Sequence, residues 1–328
     1  MKKVSIIIPS LDSIDTIKLL LDALQNQVFN DFEVIFVDSQ GPSSAKILEQ
    51  INESNSMDIK YFSVEPMLPG AARNYGIKKA ESSLIIFLDT KTIPSEVWLE
   101  STLRKIELDN NDVVLGKFYT AAESRFQSWV KAATFGNQAI DCLPGTMIHK
   151  STFKKVGEFL EHVRAGEDLE WLKRVKLSNF RVGTLEEPSI EYVGLPKNFT
   201  TLIYKWFLYS KETAYVEVIV GQKALYFSIS LIGAMYLILN WNYLFTNDLW
   251  DSSPYFIPHI NKIVWSLTFV IYFLFRSLYL PSTKNVPNKY LFPINWFFVG
   301  ILGLAIDISK MPGRVLGYLL YLKEKIKF

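Results

Sequence analysis

The chain has 328 residues, of which 49% are hydrophobic and 21% charged, with a formal net charge of +2 and one cysteine, Cys142. That length suits one large domain plus a second region, and a single cysteine excludes any intrachain disulfide, which fits a reducing compartment. The net charge argues neither for nor against nucleic acid, so the placement of charge matters more than its total.

The chain begins Met-Lys-Lys and then reads "VSIIIPS". Its five-residue apolar core, broken by Pro9, is shorter than a signal peptide requires and reads as a strand buried on both faces. Residues 14–27 carry Ile14, Ile17, Leu20, Leu21 and Leu24 at helical spacing. "FEVIFVDS" (32–39) is a second buried strand, 43–54 a second helix and 59–64 a third strand. A loop opens a helix over 69–82, a fourth strand covers 83–90, and another helix covers 95–108. Such alternation predicts a parallel sheet with helices on both faces. Ligands of such sheets bind at the carboxyl ends of the strands. Those ends carry Pro9, Asp38 and Asp89.

Residues 111–200 are less regular. "DVVLGKFYT" predicts a strand, and "DCLPGTMIHKSTFKKVGEF" a loop, a short strand and a helix. In "RAGEDLEWLKRVKL", Glu167 and Asp168 follow Gly166 and begin a helix. Acids in a first turn are favoured by the helix dipole, so this pair has a purely structural explanation as well as a chemical one.

Beyond residue 216 the composition turns apolar. Residues 224–245 carry no charge, 263–280 carry only Arg276, and 291–309 are interrupted by Pro293 and Asp307. The first two are long enough to span a bilayer. Lys205, Lys211 and Lys223 precede them and Arg276, Lys284 and Lys289 follow, which predicts a hairpin with both ends cytosolic. The third segment conflicts with this rule, because the tail after it is also basic, and it reads either as a span or as re-entrant or interfacial. Residues 311–328 read as a basic amphipathic helix on the membrane surface. The division is thus 1–215 for a cytosolic domain and 216–328 for a membrane region.

"IIFLDTKTIP" (85–94) delivers Asp89 to the tip of a strand. A second acid two positions on would let the pair hold a divalent ion with a diphosphate, but that place is Lys91. Two arrangements are open. A Mg or Mn ion is held by Asp89 and the diphosphate alone, or Lys91 supplies the positive charge itself.

In order and spacing, "SIIIPSLDSIDTI", "FEVIFVDSQGPSS", "GAARNYGIKKA", "IIFLDTKTIP", "GTMIHKSTFKKVGEFLEHVRAGEDLEWLKRV" and "IYKWFLYSKETA" together resemble the family 2 glycosyltransferases. The resemblance covers about the first 215 residues. It implies an α/β GT-A fold, with a Rossmann-like, mostly parallel sheet and an inverting sugar transfer from a nucleoside-diphosphate sugar. By the same resemblance Pro9, Asp38, Arg73, Asn74, Asp89 and Lys91 would bind the donor, and Asp168, with Glu167 beside it, would be the general base. Gly145, Thr146 and Trp171 would line the acceptor cleft. Asp89-Thr90-Lys91 departs from the family's Asp-x-Asp pattern, which puts the metal in question. The family's processive synthases carry Gln-x-x-Arg-Trp, which is absent here and points to single transfer. A lipid-linked or surface-glycan acceptor and membrane lipids are the expected partners, with no nucleic acid, at a bacterial-type cytoplasmic membrane. The rival reading is a catalytically inactive, membrane-bound nucleotide-sugar binder. A dinucleotide-dependent oxidoreductase would want G-x-G-x-x-G after the first strand, where "PSLDSI" stands.

Overall fold

The computed structural model describes residues 3–11, 14–39, 57–187, 189–216, 233, 236–243 and 250–325. The helix expected over 43–54 and most of the span expected over 224–245 lie outside them.

The continuous apolar runs form the middle of the sheet. Strands β1 (Val4–Ser10), β2 (Phe32–Asp38), β3 (Asp58–Ser63) and β4 (Leu84–Phe87) stand in the order β3-β2-β1-β4, all parallel. Alternate residues of a strand face opposite sides of its sheet. Ile6 and Ile8 accordingly enter one core, with Ile17, Leu20, Leu21 and Leu24 of α1 (Ile14–Gln25). Ile7 enters another, with Ile77 of α2 (Pro69–Lys79) and Trp171 of a later helix. Each such fully buried side chain contributes about 1.5–3 kcal/mol.

Beyond β4 the parallel pattern stops. After β5 (Thr92–Pro94) and α3 (Trp98–Leu108), the chain forms β6 (Val113–Thr120), α4 (Arg125–Ala133), β7 (Ile140–His149) and α5 (Lys150–Val156). Then come α6 (Glu167–Leu177), β8 (Val182–Thr184), β9 (Ile190–Tyr192) and α7 (Phe199–Tyr215). Strand β7 pairs antiparallel with both β4 and β6, and β5 antiparallel with β9, while β8 and β9 run parallel to β6. The sheet is therefore mixed, and only its first half obeys the alternation argument.

Among the described residues, two helices of the C-terminal region are long and apolar enough to cross a membrane. The first is α8 (Ile260–Leu274), which continues through a π-helical turn at Phe275–Tyr279 to Leu280–Thr283. The second is α9 (Asn295–Lys325). The third apolar segment and the basic tail, expected as separate pieces, are this one helix, and Pro312 does not end it. The two charges that interrupt these apolar stretches are partners. Arg276 Nε meets Asp307 Oδ2 at 2.7 Å and its Nη2 donates to the Gly303 carbonyl at 3.0 Å. The Tyr272 hydroxyl donates to the same Asp307 oxygen at 2.6 Å.

Candidate active site

The parallel strands end together. Ser10 lies opposite Asp38 and Ile7 opposite Phe87, so the segments leaving β1, β2 and β4 share one edge of the sheet. A cleft of about 280 Å³ opens there, lined among others by Pro9, Ser10, Ser39, Arg73, Asp89, Lys91, Glu167 and Asp168. Side chains up to 200 positions apart in sequence, those of Pro9 and Tyr209, meet in this space.

Asp89 is presented by a tight turn after β4, in which its carbonyl accepts from Thr92 Oγ1 at 2.6 Å and from Thr92 N at 3.0 Å. Arg73 reaches the cleft from the first turns of α2. That helix starts with Pro at its first position, which a helix tolerates because the missing N–H would be unpaired there. Glu167 and Asp168 are the first residues of α6. Gly166 before them has φ +93°, a left-handed conformation open to glycine at low cost. A Cβ at that position would also crowd Thr213 and Val216 at the end of α7, at 3.3 and 3.1 Å.

Arg73 is the centre of the charge. It is 4% exposed, donating from Nη2 to Asp89 at 2.8 Å and from Nη1 to Glu167 at 2.6 Å. Burial opposes its charge, but the carboxylates of Asp89, Glu167 and Asp168 outweigh that and hold it protonated. Burial pushes Glu167 up to about 7, helped by the charge of Asp168 and opposed by Arg73. Its Oε2 is buried with no hydrogen-bond partner among the described residues. Burial also raises Asp168, against the pull of Arg73 and of the Leu169 N–H, which donates to Asp168 Oδ1 at 2.8 Å. Two acids with raised proton affinity beside one fixed cation can take up a proton near neutral pH.

Several expected site residues are elsewhere. Trp171 does not line an acceptor cleft. It is fully buried, stacked on Phe153 and packed against Phe87 and Phe159, with Nε1 donating to the Gly157 carbonyl at 3.0 Å. Thr146 is also fully buried; its hydroxyl donates to the Cys142 carbonyl at 2.7 Å and accepts from Gly116 N at 3.0 Å. Gly145 has φ +86° and leaves no room for a Cβ against Ile190. These two shape the strand β7 rather than the cleft. Asn74 pins the loop after α5, donating to the Phe159 carbonyl and accepting from its N–H at 3.0 and 2.9 Å. Asp38 is buried at the end of β2, where the Tyr61 hydroxyl donates to it at 2.7 Å; its neighbour Ser39 lines the cleft.

Residues 5–160 match the family model described as "Glycosyl transferase family 2". The N-terminal domain belongs to glycosyl transferase family 2. The family 2 domain is 26% identical over 203 residues to the poly(ribitol-phosphate) beta-N-acetylglucosaminyltransferase TarS of Staphylococcus aureus, covering 58% of this chain and 35% of that one. It is 27% identical over 184 residues to the glycosyltransferase AglE of Haloferax volcanii, covering 52% of this chain and 60% of that one. The matched stretch thus spans a third to three fifths of these curated relatives. The fold is also that of the mannosyltransferase PcManGT from Pyrobaculum calidifontis, solved with GDP-Man and Mn²⁺. The TM-score is 0.54 at 13% identity, over 94% of this chain and 87% of that one. The fold is thus the GT-A type.

The cleft residues that the sequence reading did not single out include Arg164, Tyr192 and Tyr209. Arg164 stands four positions before Asp168 in "RAGED", a signal that could have found it. Tyr209 could not be found from its own neighbourhood, because it comes from α7, a helix read as the approach to the membrane. Burial, then the charge of Asp168, pushes its hydroxyl up to about 12.

The fit of a divalent ion can be judged from the donor set. Among the described residues no three His, Cys, Asp or Glu side chains are grouped to hold one. Asp89 Oδ1 is committed to Arg73, and Lys91 lines the same cleft. A carboxylate already paired with a cation, beside a second cation, is a poor ligand for a third. These residues do not fit a metal.

Proposed function

We propose that this chain is a membrane-associated inverting glycosyltransferase that moves a sugar from a nucleoside-diphosphate sugar to a lipid-linked or surface-glycan acceptor. One observation carries the reading: the basic residues Lys91 and Arg164 and the acidic residues Asp89, Glu167 and Asp168 line a single cleft, at the carboxyl edge of a family 2 domain. Inverting transfer needs both kinds of group. The leaving diphosphate gains charge as the glycosidic bond breaks, and fixed cations stabilise it most when water is excluded. Lys91 and Arg164 supply that charge here. The acceptor hydroxyl must lose its proton as it attacks the opposite face of the sugar, and Asp168 takes it. Glu167 shares the pair's negative charge and ties it to Arg73. The donor sugar lies between Asp89 and Asp168. The names of the curated relatives, one acting on poly(ribitol-phosphate), support a glycan acceptor.

The reading is tested by calorimetry on the detergent-purified full chain with UDP-, GDP- and dTDP-sugars, each with Mn²⁺ and with chelator. Binding of one donor in chelator, followed by turnover on a lipid-linked acceptor, is the expected result. Binding of a donor without release of its diphosphate under any acceptor would favour an inactive nucleotide-sugar binder. Failure of all donors to bind would overturn the reading.

A further inference from the structure

Helix α9 has two opposite faces with different surroundings. Val299, Leu302, Ile306, Ser309, Gly313 and Gly317 are buried at spacings of three and four, which makes one face. That face lies against the catalytic domain. Leu302 and Ile306 share a core with Val130 of α4 and Leu202 of α7. Near the start of α9, Trp129 stacks on Phe298 with ring centres 4.3 Å apart and donates to Asn295 at 3.0 Å. Further along, Ser210 donates to the Lys310 carbonyl at 2.9 Å. At Gly313 and Gly317 the backbone of α7 comes so close that a Cβ would overlap the carbonyl oxygens of Phe207 and Lys211. The opposite face of α9 carries Phe297, Ile301, Ile308, Met311, Val315 and Leu319, all exposed and all apolar.

The contacts with the domain run from Asn295 to Gly317. At 1.5 Å per residue that is about 33 Å, the whole of a hydrocarbon core about 30 Å thick. If α9 crossed the bilayer with this packing, it would draw α4 and α7 in with it, along with Lys131, Lys205, Lys211 and Glu212 on those helices. Each charge at depth costs about 2.5–3.5 kcal/mol or more. A helix lying in the interface avoids that cost, because its outer apolar face enters the acyl boundary while the domain stays in water.

We propose that α9 does not cross the membrane but lies in its surface, with the lipid acyl region covering its exposed face and the family 2 domain seated on the other. The basic residues then agree. Lys284 and Lys289 before α9 and Lys323 and Lys325 near its end are on one side of the bilayer, with Arg314 along its edge to meet anionic headgroups, while Lys310 is held over the Trp206 ring of α7 at 4.3 Å. Tyr209 of α7 lines the cleft, so the cleft opens about one helix diameter, ~10 Å, from the lipid. The placement goes beyond the proposed reaction and does not depend on it.

The test is side-specific labelling of the full chain with a membrane-impermeant maleimide, in intact cells of the expression host and in inverted membrane vesicles. Single cysteines are placed at exposed positions: Lys154→Cys in the catalytic domain, Asn288→Cys before α9 and Lys323→Cys near its end. The native Cys142 is 7% exposed and serves as the unlabelled background, with Cys142→Ser as a second. All three positions are expected to label from the same side. Labelling of positions 288 and 323 from opposite sides would show that α9 crosses and would overturn the proposal. So would recovery of the chain in the soluble fraction after lysis without detergent.

Discussion

Arg73 and Glu167, 94 positions apart in sequence, are joined by an N–H···O bond of 2.6 Å in the interior of the protein. The other arm of the same guanidinium holds Asp89 at 2.8 Å. The strand end at Asp89 and the helix start at Glu167 thus share one cation. Removing one partner of a buried pair leaves the others uncompensated, at a cost of about 3–5 kcal/mol. Arg73→Gln is therefore expected to lower the unfolding midpoint strongly, and Arg73→Lys, which keeps the charge but not the fork, to lie between. Thermal unfolding of the purified variants checks this. A midpoint for Arg73→Gln equal to that of the parent would show that the bridge carries no stability.

Asp168→Asn should remove the base while leaving the donor side intact. The expected loss in turnover is about 10²- to 10⁴-fold, with donor affinity little changed. Single-turnover rates and calorimetry on the same preparation separate the two. An active Asp168→Asn would move the base to Glu167.

In the proposed reaction Lys91 neutralises the leaving group. Loss of one charge-assisted bond costs about 1.5–3 kcal/mol, so Lys91→Ala should weaken donor binding in chelator roughly ten- to hundredfold. Lys91→Asp should make binding depend on Mn²⁺, since two acids would then stand at the tip of the strand. An unchanged metal response in Lys91→Asp would sink the idea that Lys91 stands in for a metal.

The raised proton affinity of the Glu167–Asp168 pair sets two pH dependences. Because the base works as an anion, kcat/KM should rise with pH along an acid limb displaced upward from the ordinary carboxylate range. Folding stability should move the other way. Glu167 holds its proton to about pH 7 when folded and only to about 4.5 when unfolded, so the native state binds more protons between those values. Stability therefore falls as pH rises from 4.5 to about 7, then levels. Unfolding midpoints across that window check the slope, which Glu167→Gln should flatten.

Trp171 packs in the core behind the cleft. Trp171→Ala should destabilise the chain by about 3–5 kcal/mol through the cavity it leaves. Trp171→Phe should keep most of the stability and leave the acceptor KM unchanged. A raised acceptor KM in Trp171→Phe would return this ring to the cleft.

The amino-acid sequence by itself determined the first half of the sheet and the charged strand tips. Runs such as Val4–Ser10 and Leu84–Phe87 are apolar on both faces, and only a strand covered on both sides suits them. It also singled out Asp89, Lys91, Glu167 and Asp168 as candidate site residues, and the structure brings all four to one cleft. Only the tertiary structure decided which neighbours of those residues face the cleft. Asn74 and Thr146 are polar and adjacent to motif positions, but their hydrogen bonds are used on Phe159, Cys142 and Gly116. Composition cannot tell a polar group that meets a ligand from one that satisfies the backbone. The third apolar segment shows the same limit on a larger scale. Its length and hydropathy suit a span, and the charge that weakens it, Asp307, is balanced by Arg276. What covers one face of α9 is the family 2 domain, a contact made by residues about a hundred positions or more away and therefore invisible to any local pattern.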